Sequence, residues 1–167
     1  SSTLNNIGSL HYNQEDYDQA LSYYWRSLKT CIEIGDEKGK ATAYNNVGLV
    51  YKQKNNLDSA QFYYERALEI KQKIKDRRGE AVSLNHLGSI YLQKGNSDQA
   101  IDYYEQSLSI RMEIGDQRGQ AESLNNLGKG YLEKGNSGKA IQLCKKALEI
   151  SNDLEIIMEA KNATETL

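Results

Sequence analysis

The chain has 167 residues, a common length for one domain, with a net charge of −2, 26% charged residues and 38% apolar ones. That balance gives no global argument for nucleic acid or an anionic membrane. Proline is absent, which favours helices joined by short turns, and no apolar run approaches the roughly 18 residues needed to span a membrane.

The first stretch, SSTLNN, has no initiator Met and no visible signal peptide, so the chain is expected to be a piece of a longer protein. Residues 4–12, LNNIGSLHY, then return three times, as YNNVGLVYK (44–52), LNHLGSIYL (84–92) and LNNLGKGYL (124–132). Gly8, Gly48, Gly88 and Gly128 are 40 residues apart, and Ala20, Ala60, Ala100 and Ala140 keep the same step. Such a fixed period marks a repeat architecture. Asn and Gly are poor helix formers, yet each repeat carries both inside an otherwise helical stretch. In the second unit Tyr44, Val47, Gly48 and Tyr51 share one helical face, with Gly48 placed to let another helix come close.

A break follows at Glu15-Asp16, Asn55-Asn56, Gly95-Asn96 and Gly135-Asn136, where Asp or Asn is a good N-cap for the next helix. The second helix ends at Gly35-Asp36, Lys75-Asp76 and Gly115-Asp116, with Gly suited to a left-handed C-terminal position. Helices are therefore predicted near 1–14, 17–34, 37–54, 57–74, 77–94, 97–114, 117–134 and 137–153, with a ninth from about 156. The units run over about 1–36, 37–76, 77–116 and 117–155, and 156–167 is a capping helix or the start of a fifth unit. A helix pair this short cannot bury its apolar face alone; stacking completes the core, so the fold class is all-α, an α-solenoid.

With Leu84, Leu87, Gly88, Tyr91, Ala100, Tyr104 and Leu108 in one unit, the chain resembles the tetratricopeptide repeat family over essentially its whole length. The common repeat is 34 residues and ends in proline. Here both helices are longer, and Gly115, Asp116, Gly119 and Ala121 resemble repeats of kinesin light chains, polarity adaptors and bacterial signalling proteins. The resemblance implies four units in a right-handed superhelix and a non-catalytic protein-interaction module that binds a peptide or protein segment. The alternative it implies is a sensory or oligomerisation region of a larger bacterial signalling protein, such as a sensor kinase, cyclase or transcription regulator.

In that family the first helices line a concave groove, which places Asn5, Ser9, Tyr12, Asn45, Leu49, Lys52, Asn85, Ser89, Leu92, Asn125, Lys129 and Leu132 toward a ligand. A second stripe holds Asn6, Asn46, His86 and Asn126, with Gln53, Gln93 and Glu133. An amide side chain donates and accepts, so a ladder of Asn can hold a partner's extended backbone; equally, the amides can hydrogen-bond neighbouring helices and serve packing. Trp25, at a place held by Glu65, Glu105 and Lys145, is either an exposed contact or packed against a preceding repeat.

No enzyme constellation is present. His11 reads as a substituted core Tyr, and GNSGKA (135–140) lacks the glycine spacing and preceding strand of a phosphate loop. The basic run KQKIKDRR (71–78) reads as a solvated turn rather than a docking spot. Cys31 and Cys144 are too few for a disulfide framework or zinc site and fit a reducing, cytoplasmic setting. No cofactor, metal, nucleic acid or membrane partner is expected, and a homo-oligomer is left open.

Overall fold

The computed structural model describes the backbone of residues 1–165 and the side chains of residues 1–155. Eight helices follow one another: α1 (Ser2–Asn13), α2 (Tyr17–Ile34), α3 (Glu37–Gln53), α4 (Leu57–Lys73), α5 (Arg77–Gln93), α6 (Ser97–Glu113), α7 (Gln117–Glu133) and α8 (Ser137–Glu165). No strand occurs among the described residues. Each helix packs on the next in the chain, and α1 touches α3 as α5 touches α7, so helix pairs stack into an all-α solenoid.

The turns repeat one chemistry. One residue is left-handed in each: Glu15, Gly35, Asn55, Lys75, Gly95, Gly115 and Gly135, with φ between 57° and 82°. The residue after it caps the next helix with its side-chain oxygen, as Asp36 accepts from the Gly39 N–H at 2.8 Å and Asn56 from Ser59 at 3.1 Å. Its own N–H returns to a carbonyl five residues back, as Asp16 does to His11 and Asn136 to Tyr131. That bond satisfies a helix-end carbonyl, and the cap satisfies a helix-start N–H.

One expected break does not form. α8 runs without interruption from Ser137 to Glu165, through the place where a ninth helix was predicted to begin near 156. The reason lies in the sequence: Glu155-Ile156 stands where the other units have Gly-Asp or Lys-Asp, so neither a left-handed stop nor an N-cap is available. The side chains of 156–167, and with them the expected capping contacts, lie outside the described residues.

The core runs both within units, as where Ala81 and Leu84 pack with Ile110, and Ala121 and Leu124 with Ala147, and between them. Ala20 and Tyr24 of α2 pack with Val47 and Val50 of α3; Ala60 and Tyr64 pack with Leu87 and Ile90; Ala100, Ile101 and Tyr104 pack with Leu127. Tyr24, Tyr64 and Tyr104 are each at most 1% exposed. Burying a side chain of that size stabilises the fold by about 3 kcal/mol. The glycine opposite each ring makes room for it, since a Cβ on Gly88 would lie 2.6 Å from the Tyr104 ring and one on Gly48 2.9 Å from Tyr64. The helix-weakening glycine is thus a packing requirement.

His11 stacks on Tyr23 at 5.3 Å, as Tyr51 does on Tyr63 and Tyr91 on Tyr103. It occupies the place of the core Tyr, as its repeat position suggested. The basic run is held largely within the chain: Lys71 is buried near Asp76, Arg77 bonds Glu80 and Glu113, and Arg78 bonds Asp116.

Candidate functional site

The residues predicted to line a groove come from α1, α3, α5 and α7 and divide sharply by burial. Asn5 and Asn45 are 8% exposed and Asn85 3%, whereas Asn125 is exposed. Ser9, Tyr12, Leu49, Lys52, Ser89 and Leu92 are half-buried, and Lys129 and Leu132 are exposed. In the second stripe Asn6 is exposed, while Asn46, His86 and Asn126 are half-buried. The first Asn of three units is therefore buried, while the rest of the row is at least partly open to solvent.

The buried amides differ in their partners. The Asn45 Oδ1 accepts a hydrogen bond from Ser83 Oγ of the next unit at 3.2 Å. Neither Nδ2 nor Oδ1 of Asn85 has a partner, and both are shielded. An unpaired buried polar group costs roughly 1–3 kcal/mol, so few are kept without cause.

Above them runs a set of hydroxyls. Ser9 Oγ lies 3.2 Å from the Tyr24 hydroxyl, and Ser89 and Tyr104 stand at the same places of the third unit. Burial pushes the Tyr104 phenol up to about 12. In the second unit Leu49 stands in place of serine, so the Tyr64 hydroxyl is buried without a partner. Its ring instead stacks on His86, with centroids 4.7 Å apart. Burial and then the charge of Lys52 push the His86 imidazole down to about 4, which keeps it neutral near pH 7.

Lys52 crosses from α3 to α5 and donates to Ser89 Oγ at 2.7 Å. Burial first, and the charge of Lys129 second, lower the pKa of its ammonium. Gln53 reaches back to donate to the Tyr12 hydroxyl at 2.7 Å. These cross-unit contacts, the Tyr64–His86 stack and the orphaned Tyr64 hydroxyl were missed by sequence reasoning. Pairing the Ser9, Leu49, Ser89, Lys129 series with the Tyr24, Tyr64, Tyr104, Cys144 series would have exposed the odd unit.

Trp25 is neither freely exposed nor turned toward a preceding repeat. It is half-buried, edge-on to Tyr63 of the following unit at 5.4 Å. Both cysteines are free, Cys31 buried and Cys144 exposed. Among the described residues no group of three or more His, Cys, Asp or Glu could hold a metal ion, and no helix is long and apolar enough to cross a membrane.

Comparison with known proteins agrees with this architecture. The tetratricopeptide repeat family matches residues 1–73 and 79–153. The crystal structure of BtubC (BKLC) from P. vanneervenii is similar, with a TM-score of 0.80 and 27% identity over 91% of this chain. This chain spans 63% of that structure's length. The TPR domain of Arabidopsis FLU shares the fold, with a TM-score of 0.66, at 21% identity over 70% of this chain and 98% of that one. No curated protein matches this chain. The tetratricopeptide repeat is a non-catalytic scaffold that mediates protein–protein interaction, and with eight stacked helices and a match over most of its length, this chain belongs to the tetratricopeptide repeat family.

Proposed function

We propose that the chain is a non-catalytic module that binds an extended segment of a partner protein along the face of α1, α3, α5 and α7. The observation that carries this reading is Asn85. Its amide is held under cover in the middle of the row with no hydrogen bond at either end. Turning it outward toward a peptide breaks no existing bond and lets it pair with a peptide N–H and C=O together. Asn45 would give up its bond from Ser83 to do the same, and Asn125 is open from the start. Asn5, Asn45, Asn85 and Asn125 then hold backbone, with Ser9, Ser89 and the half-buried Asn46 and Asn126 beside them. Leu49, Lys52, Leu92, Lys129 and Leu132 set side-chain preference. A reducing, cytoplasmic setting goes with this reading, since both thiols are free.

The test uses linear peptides selected from a displayed random library on the wild-type chain, then titrated against Asn85→Ala. The module reading predicts a loss of about tenfold in affinity, the equivalent of about 1.4 kcal/mol, with no loss of melting temperature. Equal affinity for both proteins overturns the role of Asn85. Failure to select any peptide that binds overturns the groove itself.

A further inference from the structure

Asn5, Asn45 and Asn85 are buried alike but bonded differently, and the difference follows two other residues. The one 38 positions after the asparagine, on the first helix of the next unit, is Ala43, Ser83 or Ser123. The other, on the second helix of the asparagine's own unit, is Ser27, Ala67 or Ser107. All six are 0% exposed, so their hydroxyls have only one another and the backbone to bond.

In the second unit Ser83 gives its one hydroxyl proton to Asn45 Oδ1, at 3.2 Å, and Ala67 offers nothing in competition. In the third unit Ser107 stands where Ala67 stood. Its Oγ donates to the Ala81 carbonyl at 2.8 Å, as Ser27 does to the Ser1 carbonyl at 3.0 Å. It also lies 3.1 Å from Ser123 Oγ. A carbonyl oxygen only accepts, so the Ser107 proton is committed to Ala81 and Ser123 must donate the bond between the two hydroxyls.

The Ser123 proton is then used up, and Asn85 Oδ1 has none to accept. In the first unit Ala43 has no hydroxyl, and Asn5 Oδ1 is without a partner too. One rule covers the three cases. The amide is tied only where the next unit brings a serine and its own second helix brings no hydroxyl to draw that serine away.

We propose that Ser107 is a positioning residue for the groove: by drawing off the Ser123 proton it keeps Asn85 free for a partner's backbone. This rests on the peptide-binding reading of the row. The choice of serine or alanine on the second helix, out of reach of any ligand, then sets how readily the asparagine above it binds. Asn85 meets a peptide without losing a bond, whereas Asn45, with Ala67 in its unit, must first break the one from Ser83. The backbone of the partner is gripped more firmly at Asn85 than at Asn45.

The test titrates a library-selected peptide against Ser107→Ala, Ser123→Ala and the double variant, with Asn85→Ala as reference. The second unit already carries Ala67 and Ala43 at or before these places, and melting curves check that each variant folds. Ser107→Ala turns the Ser123 proton to Asn85 and is expected to weaken binding about fivefold, the worth of one ordinary hydrogen bond. Ser123→Ala alone is expected to bind like the wild type, and the double variant to recover wild-type affinity, because neither leaves a donor beside Asn85. Without peptide, the Asn85 side-chain amide signals are expected to shift in Ser107→Ala and to move back in the double variant. Ser107→Ala that binds like the wild type, while Asn85→Ala binds weakly, overturns the role of Ser107 and leaves the groove standing. Asn85→Ala that binds like the wild type overturns the groove reading and this use of Asn85 with it. A loss in Ser107→Ala that the double variant does not repair is the mark of packing alone and overturns the proposal, as do peptide-free Asn85 signals that stay in place.

Discussion

The third and fourth units share the repeat pattern and meet different fates. In the third, Tyr104 is 1% exposed, Ile101 6% and Asn85 3%. At the matching places of the fourth, Cys144 and Asn125 are exposed and Ile141 is 58% exposed. At these places burial is conferred by the following unit, whereas Ala121, Leu124 and Ala147 bury one another within the fourth. The same side chain type can therefore be core in one unit and surface in the next.

The largest effect that tests this contrast comes from the two close-approach glycines. Gly88→Ala puts a methyl 2.6 Å from the fully buried Tyr104 ring, which has no room to move. The gain in helix propensity is about 1 kcal/mol and the overpacking cost about 1–3, so a net loss of up to about 2 kcal/mol is expected in urea titration. Gly128→Ala meets only the Sγ of the exposed Cys144 at 2.7 Å, and that side chain can turn away. It should leave stability unchanged or raise it by up to about 1 kcal/mol. Two losses of equal size would break the contrast.

A second comparison sets Asn45 against Asn85. Removing the Asn45 amide leaves Ser83, which is fully buried, without the acceptor it uses. Asn45→Ala should cost about 1 kcal/mol, whereas Asn85→Ala removes two unpaired atoms and should cost nothing. Chemical denaturation of the two variants side by side reads the difference.

A pH effect tests the same packing at His86. His86 titrates near 4 when folded and near 6.5 when unfolded, so the unfolded chain binds the extra proton first. Its contribution is fully present above about pH 6.5 and is lost as pH falls through that window toward 4. Melting temperatures at pH 7 and pH 4.5 should fall further for the wild type than for His86→Asn, which installs the residue found in the other units. Parallel losses would contradict the burial of His86. Smallest is the turn residue Lys75, left-handed at φ 57°. Lys75→Gly should raise the melting temperature slightly, because relief of the backbone strain exceeds the added entropy of the unfolded chain.

The 40-residue step made the seven turns, their caps and the left-handed Gly35 and Gly115 legible, because each rests on local chemistry at a fixed place; the left-handed Glu15, Asn55 and Lys75 were not. The close approach of a second helix at Gly48 was legible for the same reason, but the Tyr64 ring that fills it was not. The depth of Asn5, Asn45 and Asn85 was not, because a helical wheel describes one helix and their cover comes from the next unit. Lys52 reaching Ser89 and Trp25 meeting Tyr63 were hidden likewise, since both contacts cross a junction. The continuation of α8 was readable in the missing Gly-Asp pair, yet the repeat count argued for a break.

We propose that the face of α1, α3, α5 and α7 binds peptide through Asn85. The most direct measurement is a titration of the nitrogen-15-labelled chain with a selected peptide, following the side-chain amide signals of the asparagines. Large shifts of the Asn85 Nδ2 signals are expected, with smaller ones at Asn45 and Asn125. An Asn85 signal that stays in place at saturation, with shifts gathered instead near the exposed Phe62 of α4, would contradict it.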